Sequence, residues 1–327
     1  MIWGEIMRYP MKLVAPLKDY IWGGQKLKEE YGKETDLDIV AESWELSCHK
    51  DGMSVIANGE AKGKTLAAWL AQQTEGVLGE KVRGMDHFPL LVKLIDAKGD
   101  LSVQVHPDDA YAERVEGERG KTELWYVVDC EPGATLIHGL KKRISKEEFA
   151  RHIADGTLLS VCNRVPVHKG DVFFIPAGTL HAIGKGILIC EIQQSSNTTY
   201  RVYDYGRLGR DGKPRELQVK KALEVVKCEP PQKLSDALAD TSLYQGKSIR
   251  LLAACDKFSA YEIHLAGKGA IAVGADSFQG LTVLDGNLRL LSDSGEIALR
   301  KGESAFLPAG LGRCDLIGDA TLILSKL

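Results

Sequence analysis

"KGDVFFIPAGTLHAIG" runs from Lys169 to Gly184, and "KGESAFLPAGLGRCDLIG" from Lys301 to Gly318. Both stretches share Lys-Gly, an acidic residue, an apolar run with an aromatic, and Pro-Ala-Gly. A single turn between strands could produce part of this pattern, but the length of the match favours a duplicated supersecondary unit. Gly and Pro bounding short apolar runs make that unit strand–turn–strand. The copies part company after Pro-Ala-Gly. The first continues Thr179, Leu180, His181 and the second Leu311, Gly312, Arg313. The expectation is one working site and one degenerate copy kept for structure.

The rest of the chain agrees with a mainly β fold. "LLVKLID", "ELWYVVD", "ATLIHGL", "DVFFIPAG", "GILICEIQ" and "IRLLAAC" are short β-rich runs broken by turn residues, the spacing of a sandwich or barrel. Three segments read as helices: Lys64–Gln73, Ser145–Cys162 and Glu216–Val226. The second opens on Ser145 with Glu148 three positions on, as in a capping box. The stretch from Cys228 to Gln245 has two prolines and no strong period, and reads as a linker between a first domain, 1–227, and a second, 246–327.

Composition bounds the function. The chain has 327 residues, 44% hydrophobic and 27% charged, with a net charge of −3. That is globular composition with length enough for a sizeable core. Near-neutral charge argues against nucleic-acid binding. No apolar run approaches the ~20 residues of a membrane helix. The start, "MIWGEIMRYP", lacks the basic and apolar regions of a secretory signal. Seven scattered cysteines without a CxxC suit reduced thiols in a cytoplasm.

Candidate chemistry begins at "DLSVQVHPDD", Asp100 to Asp109. Alternation places Ser102, Gln104 and His106 on one face of a strand and Leu101, Val103 and Val105 on the other. Glu123 opens the apolar run "ELWYVVD", and His181 follows the Pro-Ala-Gly turn. Two His and one carboxylate suit Zn²⁺, Fe²⁺ or Mn²⁺. Singly, each residue has a plain alternative: His106 or His181 as an ordinary hydrogen-bonded histidine, and Glu123 as a surface charge beside Lys121. The combination, in this order along a β protein, raises Gln104, His106, Glu123 and His181 above those alternatives.

This order of ligands resembles that of the cupins. "IWGG" (21–24), "ESWELS" (42–47), "LSVQVHPDD", "KTELWYV", "IPAGTLHAIGKGILICEIQQSSNTTYRVYDYGR" and "RELQV" together resemble a type I mannose-6-phosphate isomerase of the shorter bacterial form. The motifs cover about two-thirds of the chain, with the last third matching only through its degenerate copy. The resemblance implies two cupin-type jelly-roll β-barrels with a helical portion. It implies one zinc per chain on Gln104, His106, Glu123 and His181. It also implies a catalytic Arg201 and pocket residues Lys93, Ser102, Lys121 and Glu191. The substrate would be a sugar phosphate, and a monomer is the expectation.

Aldose–ketose interconversion needs a base and positive charge for an enediolate oxygen. Lys121 and Arg201 can supply charge, and Ser102 and Lys93 can meet a phosphate. Glu191, flanked by apolar residues, must be paired or protonated, and is expected as base or as orienter of a proton relay. Plain alternatives are a solvated Lys93 and an Arg201–Asp204 ion pair. Three rival functions remain: an Fe²⁺ dioxygenase, a cupin-type phosphoglucose isomerase and a non-enzymatic sugar-binding cupin. Gln104 as a fourth ligand disfavours the first, and retention of all four ligands disfavours the last.

Overall fold

In the computed structural model, residues 8–73, 76–231, 244–245 and 248–327 are described. All the apolar runs quoted above form strands. They pair antiparallel throughout, in sheets of six, five, nine and two strands. The linker expected over 228–245 lies largely outside the described residues, from 232 to 243.

The six-stranded sheet runs in the order Val172–Ile175, Glu123–Cys130, Ile187–Gln194, Leu90–Ala97, Glu42–Leu46, Leu17–Lys18. Its central strands are buried on both faces, which explains their nearly unbroken apolar sequences. One face, with Leu90, Val92, Leu94, Leu124 and Ile192, shares a core with Phe306 of the nine-stranded sheet and with Phe258 and Phe278, each just before one of its strands. The other, with Ile95, Trp125, Val127 and Ile189, packs on Leu136 of the five-stranded sheet and on Ile183, just after its strand His181–Ala182. The five-stranded order is Cys162–Pro166, Thr135–Leu140, His181–Ala182, Val103–Val105, Tyr200–Tyr203. Its outer face, with Val103, Val105 and Ala182, is covered by Phe149, Leu158 and Ala222 from helices. The inner faces of these two sheets are therefore the only space between them, and the polar residues of interest stand there.

The helices are shorter than expected. Lys146–Ala154 and Leu158–Val161 replace the single run 145–162, because Gly156 at φ +68° breaks it. Ser145 caps the first by accepting from the Glu148 amide. The other two reduce to Leu66–Leu70 and Val219–Val225. A helix not expected, Asp109–Glu116, is capped by Asp108 directly after the "QVHP" strand.

The repeat has equivalent structure in both copies. Gly170 and Gly302 take φ +88° and +82°, and Gly178 and Gly310 +87° and +76°, a region that favours glycine. Gly170 N–H donates to Val127 O and Gly302 N–H to Val283 O, each at 2.8 Å. Ile175 pairs with Glu123 in the first copy, and Leu307 with Gln279 in the second. The second copy thus has glutamine in place of Glu123 as well as arginine in place of His181. Arg313 is exposed and ion-paired to Asp315. The fold is mainly β, as expected. The described ladders have free ends, so these hydrogen bonds draw open sheets and close no barrel. Met11–Val14 and Val55–Ile56 join the nine-stranded sheet through Ser304–Leu307.

Candidate metal centre and its cleft

Gln104 pairs across the five-stranded sheet with both His181 and Arg201. Register alone brings residues 77 and 97 positions apart onto adjacent strands. His106 and His181 present their Nε2 atoms to each other at 3.1 Å. Glu123 enters from the opposite sheet, with Oε1 3.3 Å from His181 Nε2 and Oε2 3.5 Å from His106 Nε2. All three residues are at most 1% exposed. Gln104 lies beside them, its Nε2 3.4 Å from His181 Nε2.

Protonation of this group follows from its neighbours. His106 Nδ1 is 2.9 Å from the Thr198 carbonyl and His181 Nδ1 2.8 Å from the Thr179 carbonyl. Carbonyls only accept, so each Nδ1 carries the proton and each Nε2 keeps its lone pair. Burial holds His106 well below the usual histidine range, helped by the Lys121 charge, and holds His181 down to about 3. Burial, with the Glu191 charge, pushes Glu123 up to about 8. Glu123 Oε1 accepts no hydrogen bond. Two imidazole lone pairs and a carboxyl group converge beside the Lys121 ammonium, which lies 3.2 Å from His106 Nε2, and the two imidazoles with an ionised Glu123 are the donor set of a divalent cation. Among the described residues this is the one group of His, Cys, Asp and Glu able to hold a metal, with ligand atoms within 4.8 Å of one another.

Above the group opens a cleft of about 350 Å³, lined by Lys93, Ser102, Gln104, Lys121, Glu191 and Arg201 among others. Lys93 is 3% exposed, not solvated, and stands 3.5 Å from both Glu42 and Glu191. Lys121 reaches Glu123 Oε2 at 2.8 Å and Glu191 Oε1 at 3.8 Å. Glu123 is therefore a buried partner of Lys121, not a surface charge. Burial pushes the Glu191 carboxyl up, but Lys121 and Lys93 outweigh it, and the carboxyl is held below its usual range. Trp125 donates its indole N–H to Glu191 Oε2 at 2.8 Å.

Arg201 reaches this cleft because the chain turns sharply through residues 195–199. Its Nε–H donates to Ser102 Oγ at 3.1 Å and its Nη1 to the Glu216 carbonyl at 3.0 Å. The expected alternative, an ion pair with Asp204, is not formed. Arg207 and Arg215 take that carboxylate. "RELQV" folds back on the strand, with the Arg201 amide donating to Gln218 Oε1. Trp125, Glu42, Arg215 and Gln218 are lining residues that sequence reading missed. All four sat in quoted motifs, yet only the tertiary fold gives them a partner.

Comparison with known proteins places this arrangement. Residues 11–129 match the family described as phosphomannose isomerase type I, catalytic domain, and residues 248–327 the mannose-6-phosphate isomerase cupin domain. Over 319 residues the chain is 38% identical to a mannose-6-phosphate isomerase of Streptococcus mutans serotype c, covering 98% of each chain. It is 39% identical over 319 residues to the mannose-6-phosphate isomerase ManA of Bacillus subtilis, covering 97% of this chain and 99% of that one. The crystal structure of the mannose 6-phosphate isomerase from Bacillus subtilis superposes with a TM-score of 0.89 at 36% identity, covering 97% of this chain and 99% of that one. By sequence over nearly its whole length, and by fold, the chain belongs to the type I mannose-6-phosphate isomerases.

Proposed function

We propose that the chain interconverts mannose 6-phosphate and fructose 6-phosphate through a cis-enediolate, with one zinc ion held by Gln104, His106, Glu123 and His181. The observation that carries this is the His106–Glu123–His181 group beneath a cleft walled by Lys93, Lys121, Arg201 and Arg215. The metal-ligand group alone would serve several chemistries. Four cations around a cleft of sugar size favour a phosphorylated sugar, and family membership supports the same reading.

The bound ion supplies Lewis-acid charge for the carbonyl and hydroxyl oxygens of the sugar. The chain's own groups do the rest. Lys121, fixed between Glu123 and Glu191, adds positive charge where the enediolate oxygen develops. Glu191 stays ionised under the influence of two ammonium groups. Its Oε1 accepts no hydrogen bond, and is the atom assigned to take the proton from C2 and return it at C1. Trp125 fixes the other oxygen. Ser102 and Lys93 meet the phosphate. Arg201, already held by Ser102 and Glu216, presents the remainder of its guanidinium without reorganisation. The protein is taken to act as a cytoplasmic monomer, which its seven free thiols suit. The division at 228–245 belongs to the same proposal, with 1–227 carrying the site.

The test is turnover in an assay coupled to fructose 6-phosphate, before and after chelation. Activity should vanish on chelation and return with Zn²⁺. Full activity in the metal-stripped protein refutes the metal reading. Glucose 6-phosphate as the preferred aldose, or O₂ uptake with Fe²⁺, would move the chain to a rival chemistry.

A further inference from the structure

The second copy of the repeat lacks the Glu123 and His181 equivalents, so its contribution to the first must be sought in contacts. One such contact reaches the segment that carries Lys121. Asp109 opens the helix after the His106 strand, and its Oδ1 accepts from the Gly120 amide and from Gln194 Nε2, each at 2.9 Å. Gln194 in turn accepts the Thr122 amide on its Oε1 at 3.0 Å. The Lys121 amide is fixed to the Pro107 carbonyl at 2.9 Å. Residues 120–122 are therefore suspended from Asp109, Gln194 and Pro107. The fit is close, since a Cβ on Gly120 would lie 2.4 Å from the backbone of Asp108 and Asp109.

The other oxygen of Asp109 is held from the C-terminal region. Lys257, in the turn between strands Ser248–Ala254 and Ser259–Val273, places its ammonium 2.9 Å from Asp109 Oδ2 and 3.0 Å from Asp256. We propose that Lys257 is a positioning residue for the isomerase site: it braces Asp109, which holds residues 120–122 and thereby the Lys121 ammonium. The C-terminal region then contributes to turnover, not only to packing. This rests on the functional assignment above, and its test separates the two.

Lys257→Met keeps the apolar stem and removes the charge. The zinc-loaded full chain should retain its metal. Amide exchange in the peptide covering residues 118–123 should rise about fivefold, the scale set by a partly exposed ion pair. The kcat for mannose 6-phosphate should fall about three- to tenfold with KM little changed, since small misplacement of a catalytic group acts on the chemical step. Lys257→Arg should restore both. Unchanged exchange, faster exchange with unaltered kcat, or failure of arginine to restore either would overturn the brace. If the native chain does not isomerise mannose 6-phosphate, the functional assignment fails, and the exchange measurement alone decides the brace.

Discussion

Trp125→Phe tests how the site keeps a buried carboxylate in place. The indole N–H lies 2.8 Å from Glu191 Oε2. Trp125 is 1% and Glu191 3% exposed, so the bond is largely shielded from bulk water. A hydrogen bond to a charged group in such a place contributes ~1.5–3 kcal/mol. The substitution also shortens a ring whose edge meets His181, with centroids 5.3 Å apart, and that packing loss must be separated out. A double-mutant cycle with Glu191→Met, which has no oxygen to accept the indole N–H, does so, because the packing loss is common to both arms. Urea unfolding of the four zinc-loaded proteins, followed by far-ultraviolet circular dichroism, should give a coupling of ~1.5–3 kcal/mol, about 10- to 150-fold in the folding equilibrium. The kcat of Trp125→Phe should fall with metal retained. A coupling below ~0.5 kcal/mol would refute the idea that this bond holds the carboxylate.

Three further outcomes are expected. Arg201→Ala should lower kcat by ~10²–10³ with zinc bound, and Arg201→Lys should recover only part, because the planar fork is lost; a change confined to KM would make Arg201 an anchor. His181→Ala should lose metal, measured by elemental analysis, whereas Arg313→Ala should keep both metal and activity; equal loss in two folded proteins would contradict the asymmetry of the copies. Burial pushes the Asp204 carboxyl up, but hydrogen bonds from Arg215 and Arg207 outweigh it and hold it below the usual range. Its stabilisation is therefore complete above about pH 4 and lost as pH falls through the lowered value, so Asp204→Asn should flatten that acid loss in pH-dependent urea melts.

Some of this protein could be read along the chain. Period-two alternation put Ser102, Gln104 and His106 on one face, and a duplicated turn located His181 and its degenerate counterpart. Ser145 and Glu148 marked a helix start, because capping is a contact between residues three apart. All of these are local signals, set by the geometry of consecutive residues. The charges of the cleft were harder to place. Lys93 and Glu191 sit within strands buried on both faces, where alternation disappears and an isolated charge looks like an anomaly. Their role depends on what stands across: Glu191 is in register with Lys93 on one neighbour and Trp125 on the other. Likewise Asp204 selects Arg207 and Arg215 over Arg201, and Lys257 finds Asp109, 148 positions earlier in the chain. Strands, turns and the side chains proposed to hold the metal are legible along the chain. Tertiary structure alone decided which charges neutralise one another, because a buried charge is stabilised by the group brought beside it in space, and strand register and sheet packing choose that group.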